Sequence, residues 1–190
     1  MTWRWIFGLL ALSALAIPGG VYASDFIAQD SCLDRGGAWF GTIGCVTEMP
    51  PVDRIVIDKS DRVLAAYTQD RLIRRLPIAL GREPAGQKQR EGDNRTPEGV
   101  YPITEHKADS DYHLAMRLGY PTPQQVAEAK RKGVDPGDDI MIHGIRNGLG
   151  WIRTLHRRMD WTQGCIALTD GEIEWLSRST ADGVPVEIRP

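Results

Sequence analysis

Two stretches decide the reading of this chain: Ile140-Met-Ile-His143-Gly144 and, beyond a basic loop, Trp161-Thr-Gln-Gly-Cys165-Ile-Ala-Leu-Thr-Asp-Gly-Glu172. Ile140 to His143 is a buried strand by composition, and Gly164 to Leu168 is a second. Thr169-Asp170-Gly171-Glu172 is a capping box, opening a helix that ends before Gly183. Working outward, Arg54–Asp58 and Arg62–Thr68 are β-rich runs, and Lys59-Ser60-Asp61 joins them as a hairpin. Leu72–Leu80 is a further strand, closed by Gly81. Gly99–Thr104 is another, with Pro102 placing it at an edge or bulge. Thr122-Pro123-Gln124-Gln125 caps a helix ending near Gly133, and Val184–Ile188 is the last strand. The sum is a mostly β, largely antiparallel domain with two short helices, of sandwich or barrel-like class.

The chain has 190 residues and a formal net charge of -2, which provides no global basic field for nucleic acid. Trp3-Arg4-Trp5 precedes an uncharged apolar run, Ile6–Ile17, and Val21-Tyr22-Ala23 supplies small residues for a peptidase. Residues 1–23 read as a signal peptide cleaved after Ala23. The run falls short of the ~20 residues a membrane span needs, so no membrane association is expected after cleavage. In an oxidising compartment two of the three cysteines should pair. Cys32 and Cys45 flank a Gly-rich stretch and are expected to staple a small appendage, residues 24–52, that ends at Met49-Pro50-Pro51. Residues 53–190 form the main domain.

Cys165 is the remaining thiol. Thiolate is the reactive form of cysteine, and an imidazole can both take its proton and stabilise the anion. His143 at a strand end and Cys165 at a loop-to-strand junction can meet without being adjacent in sequence. Gly164 would let a carbonyl approach the backbone, where the N–H groups of Gly164 and Cys165 would form an oxyanion hole. The plainer reading stands beside this one: a lone Cys on an apolar strand usually packs, and a His-Gly at a strand end is usually structural.

The same residues resemble the L,D-transpeptidase catalytic domain family, the YkuD type. His143-Gly144 and Thr162-Gln163-Gly164-Cys165 fit its His-Gly and Ser/Thr-x-Gly-Cys motifs. Leu80-Gly81, Gly92-Asp93 and Thr96-Pro97-Glu98-Gly99-Val100-Tyr101 fit its upstream run, so the resemblance covers roughly residues 53–190. It implies a periplasmic or cell-envelope enzyme acting on peptidoglycan stem peptides. Cys165 would attack the carbonyl of the third stem residue, His143 would be the base, and Gly144 and Gly164 would fill the family's glycine positions. D-Ala leaves, and an amine takes the thioester: another stem, the lysine of a wall-linked lipoprotein, or a free D-amino acid. Water as acceptor would make the same site a carboxypeptidase or amidase.

There are departures. Many members carry His before Gly-Cys and Arg two residues after the Cys; here these are Gln163 and Ala167. The Trp161-Thr-x-Gly-Cys-Ile-Ala form looks like a subgroup that includes proteins cutting wall-protein links. A lost Arg removes a planar partner for a carboxylate, for which Arg146, Arg153, Arg157 or Arg158 could substitute. The stretch Arg153–Arg158 also reads as a solvated basic loop, and the segment between Gly144 and Trp161 as a substrate lid. Thr162 and Trp161 join Tyr112 and His113 as expected substrate contacts, the last two because a Ser-x-Tyr-His segment lies near the cleft in the family. Asp109-Ser-Asp-Tyr-His113 also suits zinc by residue type, but no third ligand stands at a useful spacing. No metal or cofactor is expected. Ile173, Trp175 and Leu176 at helical spacing are expected in the core. A non-catalytic wall-binding domain is the reading from another class.

Overall fold

The computed structural model describes residues 26–32, 34, 37–40 and 43–190. The expected signal peptide, residues 1–23, lies outside them. The described residues up to Glu48 and those from Met49 to Pro190 form two compact units. In the first, residues 26–32 are helical, and β1 (Ala38–Phe40) pairs antiparallel with β2 (Gly44–Val46). Cys32 and Cys45 are disulfide-bonded, with Cα atoms 5.5 Å apart. A Cβ on Gly37 would stand 2.8 Å from the Cys32 sulfur, so this glycine clears room for the bridge. Among the described residues, no helix is long and apolar enough to cross a membrane.

The second unit is built on an eight-stranded sheet. Its strands are β3 (Arg54–Asp58), β4 (Val63–Thr68), β5 (Arg71–Pro77), β6 (Gly99–Ser110), β7 (His113–Leu118), β8 (Met141–His143), β9 (Ile166–Ala167) and β10 (Pro185–Arg189). They lie in the order β5-β4-β3-β10-β6-β7-β8-β9. Two pairs are parallel, β10 with β3 and β8 with β9; the other pairs of this sheet are antiparallel. Strand β3 is central and buries three consecutive residues, Ile55, Val56 and Ile57, as a strand covered on both faces does. The mostly β expectation holds, with an open sheet rather than a closed barrel. Yet the sheet curls: just past β5, Ala79 exchanges both backbone hydrogen bonds with Ala167 of β9, at 3.0 and 2.8 Å. The two ends of the strand order are joined there.

That curl explains why the strand expected over Leu72–Leu80 stops at Pro77. Residues 78–81 leave β4 to serve the far edge instead. Pro102, expected at an edge or bulge, lies on an interior strand. It stands where β6 passes from pairing with β10 to pairing with β7, next to a register shift between Ile103 and Glu105. A residue without an N–H is tolerated at such a hand-over, and its carbonyl still accepts from Gly119 at 2.8 Å. Both capping boxes form. Thr122 caps α1 (Pro123–Lys132), which ends at Gly133 with φ 68, and Thr169 caps α2 (Asp170–Ser179). Helix α2 packs on β7 and β8, burying Ile173, Trp175 and Leu176 in the core. Most of the segment expected as a lid forms a 3-10 helix, Gly150–Arg158, kinked at Arg153.

Candidate active site

Strands β8 and β9 set Ile142 opposite Ile166 and His143 opposite Ala167. This register brings the last residue of β8, His143, and the residue before β9, Cys165, onto neighbouring strands. Both line one cleft of about 840 Å³.

His143 is buried, and its Nδ1 lies 2.7 Å from the Gly144 carbonyl oxygen. A carbonyl can only accept, so Nδ1 carries the proton and Nε2 keeps its lone pair. Burial pushes the imidazole pKa down to about 4, against the smaller opposing effect of the Gly144 bond. The ring is therefore a neutral base near neutrality. Tyr112 lies 4.6 Å from it, centroid to centroid, and Trp161 packs edge-on at 5.6 Å.

Cys165 is partly exposed at the cleft. Dense protein around its sulfur raises the thiol pKa, and the Met141 N–H and the Lys88 charge offset this only in part. The resting pair is therefore a thiol beside a neutral imidazole. Sγ donates to the Asp139 carbonyl oxygen at 3.4 Å. Asp139 takes a positive φ of 53, unusual for a side-chain-bearing residue, and Arg117 holds its carboxylate.

Thr162 organises the turn before the nucleophile. Its buried hydroxyl donates to the Cys165 carbonyl oxygen at 2.7 Å and accepts from the Gly164 N–H at 3.1 Å. The Gly164 N–H, assigned from sequence to an oxyanion hole, is thus engaged in this structure, because a hydroxyl two residues back closes a local turn on it. Gly164 is required for a different reason. It takes φ +129, and a Cβ there would stand 2.7 Å from the Arg95 carbonyl oxygen.

The turn is laced to residues 78–82. Thr162 N–H donates to the Leu80 carbonyl, and Arg82 N–H donates to the Thr162 carbonyl, both at 3.1 Å. A Cβ on Gly81 would fall 3.1 Å from Gly164 Cα and 2.1 Å from the Asn94 carbonyl oxygen, so only glycine allows this approach. The upstream motif residues support it from behind. Thr96 Oγ1 accepts from the Gly81 N–H at 3.2 Å. Asp93 gathers the N–H groups of Gln89, Arg90 and Arg95 and the Lys88 ammonium. Burial alone would raise the Asp93 pKa, but these donors bring it down to about 2.

Gly144 is similarly crowded: a Cβ would stand 2.9 Å from Asp170 Oδ1 and 3.0 Å from the Tyr112 carbonyl oxygen. Asp170 also accepts from the Ile145 N–H at 2.9 Å, tying the start of α2 to the chain just past His143. Sequence placed Asp170 only within a capping box, since a bond across 25 residues leaves no local signal.

Of the expected substrate contacts, Tyr112, Arg146, Trp161 and Thr162 line the cleft, whereas His113 and Arg153 are not among the lining residues. The His113 imidazole Nε2 lies 2.7 Å from Glu174 Oε1 of α2. Arg157 pairs with Glu172, itself buried and bonded by Thr169, so the basic stretch is not wholly a solvated loop. Among the described residues, no three His, Cys, Asp or Glu side chains gather as a metal ion would need. Sequence reading missed Arg82, Lys107 and His156 on the cleft wall. Trp161 Nε1–H points to His156 Nδ1 at a long 3.5 Å. Leu149, Ile152, Leu155 and Met159, between Gly144 and Trp161, add apolar side chains to the cleft wall.

An eight-stranded sheet thus brings a buried imidazole at the end of β8 and a thiol just before the adjacent parallel strand β9 to one cleft. The sequence model of the L,D-transpeptidase catalytic domain (YkuD) matches residues 52–188, and the chain belongs to this family of enzymes. It is 33% identical over 112 residues to "Putative L,D-transpeptidase YafK" of Escherichia coli (strain K12), covering 56% of this chain and 44% of that protein. It thus spans less than half the length of this curated relative. The helical cell shape determining protein Pgp2 of Campylobacter jejuni, as a point variant, superposes with a TM-score of 0.54 at 26% identity, covering 74% of this chain and 47% of that one. Bd1075 of Bdellovibrio bacteriovorus shares the fold, with a TM-score of 0.51 at 21% identity over 74% of this chain and 51% of that one.

Proposed function

We propose that this domain is a cysteine-dependent peptidoglycan L,D-transpeptidase of the periplasm or cell envelope. In the first half-reaction His143 Nε2 takes the Cys165 Sγ proton as sulfur attacks the carbonyl carbon of the third stem residue. The Cys165 N–H faces the oxyanion that forms. Collapse breaks the amide bond, and the D-Ala nitrogen leaves with the proton held by His143. In the second half an acceptor amine attacks the thioester, gives its proton to His143, and displaces the sulfur, which recovers that proton. The acceptor is an amine of another stem or of a wall-linked lipoprotein. Water in its place yields a shortened stem.

The observation that carries this reading is the bond from His143 Nδ1 to the Gly144 carbonyl. It fixes the tautomer with Nε2 basic, in the cleft that also holds the one cysteine outside the disulfide. Incubating the full chain and its Cys165→Ala variant with purified tetrapeptide muropeptides, read by mass spectrometry, tests it. Cross-linked dimers with loss of D-Ala from the parent protein alone are expected. Tripeptides alone would shift the assignment to hydrolysis, and unchanged spectra for both proteins would overturn it.

A further inference from the structure

Among the described residues, three cationic side chains line the cleft: Arg82, Lys107 and Arg146. Lys107 shares the β6–β7 wall with Asp109 and Asp111, two carboxylates that also line the cleft and offset its charge. Arg146 follows Gly144 on the lid side, where Asn147 N–H is tied to the Asp111 carbonyl at 2.8 Å. Arg82 comes from a separate segment. Its backbone is fixed to Thr162 at 3.1 Å, and the Thr162 hydroxyl holds the Cys165 carbonyl at 2.7 Å. Two hydrogen bonds therefore link the Arg82 backbone to the nucleophile. Its side chain is exposed and has no ion-pair partner among the described residues. An unpaired guanidinium on a backbone bonded to the turn that presents the nucleophile, and lining the same cleft, is a ready fork for a carboxylate.

We infer that Arg82 binds the free α-carboxylate of the residue expelled from the substrate. One residue spans ~3.8 Å between Cα atoms, so that carboxylate lies close to the attacked carbonyl, in the cleft that Arg82 and Cys165 both line. Arg82 thus makes the site selective for a stem with a free carboxyl terminus. This rests on the reaction proposed above, but the binding step can be tested apart from it.

The test uses the full chain carrying Cys165→Ala, so that no turnover occurs. Binding is followed by Trp fluorescence with two synthetic stem tetrapeptides, one ending in a free carboxylate and one in a carboxamide. The free acid is expected to bind tighter by about tenfold to a hundredfold, the range for a hydrogen bond to a charged group. Adding Arg82→Gln should erase that preference without weakening carboxamide binding, and Arg82→Lys should restore part of it. Adding Arg131→Gln, at an exposed position of α1 that does not line the cleft, should leave it intact. Equal binding of the two peptides, binding of neither, or a preference that survives Arg82→Gln would overturn the assignment. An intact preference in a parent protein that never releases D-Ala would instead overturn the reaction and leave the carboxylate site standing.

Discussion

His143 bonds to its own neighbour: Nδ1 donates to the Gly144 carbonyl oxygen at 2.7 Å, so the ring is oriented by backbone rather than by a carboxylate. A carboxylate partner would favour the imidazolium, but a carbonyl inside a buried site does so much less. The base therefore stays neutral far into acid, with its pKa near 4, while the thiol pKa lies above its ordinary range. The expected profile of kcat/KM for D-Ala release is a broad plateau. Its acid limb falls near pH 4 and its alkaline limb lies above that of a free thiol. An acid limb near pH 6.5 would show that His143 is better solvated than its burial implies.

Stability should depend on pH for the same reason. His143 and His156 both titrate near 4 in the fold, below the 6.5 of an unperturbed imidazole. For each, burial is the leading cause. Between those values the unfolded chain binds more protons than the folded one, so stability rises with pH in this window and is lost as pH falls through it. Above pH 6.5 both rings are neutral in either state and contribute no slope. The midpoint of urea unfolding should drop between neutrality and pH 5, and His156→Phe should flatten the dependence. A midpoint constant over that range would contradict the burial of both rings.

Local signals made part of this legible. Capping boxes, turn glycines and alternating apolar runs located α1, α2 and most strands of the second unit, because those features depend on neighbours in sequence; the helix at residues 26–32 and the β1–β2 pair of the first unit were not located. His143 and Cys165 could be paired because their motifs are spaced and ordered. Strand β7 was missed: it is bounded by short turns, and His113 at its start takes a positive φ of 65. The curl that joins Ala79 to Ala167, the engagement of Gly164 N–H by Thr162, and Arg82 on the cleft wall all depend on contacts between distant segments. Gly81 shows the limit well. It reads as a turn glycine, but a Cβ there is blocked first by the Asn94 carbonyl and then by Gly164, 83 positions later in the chain.

The segment between Gly144 and Trp161 is anchored by a buried ion pair. Arg157 of the 3-10 helix meets Glu172 of α2, whose Oε2 also takes the Thr169 N–H at 3.0 Å and the Thr169 hydroxyl at 2.6 Å. Removing one partner of a buried pair strands the other, at a cost of ~3–5 kcal/mol. Because Thr169 still serves the carboxylate, Arg157→Ala should fall at the lower end of that range. The double variant Arg157→Ala, Glu172→Gln should cost less than the sum of the two single changes. Denaturant unfolding of the four proteins closes this cycle, and strict additivity would mean that the pair contributes no coupling.

Two glycines with positive φ separate strain from collision. Gly183 takes φ +87 with nothing within 4 Å of an added Cβ, so Gly183→Ala should cost only the backbone penalty, ~1–2 kcal/mol. Gly164 takes φ +129, and its added Cβ would meet the Arg95 carbonyl oxygen at 2.7 Å and Ile140 at 3.1 Å. The first contact is with backbone and the second with a buried side chain, so neither yields easily. Gly164→Ala should therefore destabilise the fold clearly more than Gly183→Ala. It should also displace the turn that presents Cys165, lowering thiol acylation even at temperatures where the variant remains folded. Thermal unfolding of both variants, with the acylation rate measured well below the transition, distinguishes these effects. Equal losses of stability with full acylation by Gly164→Ala would show that the turn can relax around an extra methyl group without moving the nucleophile.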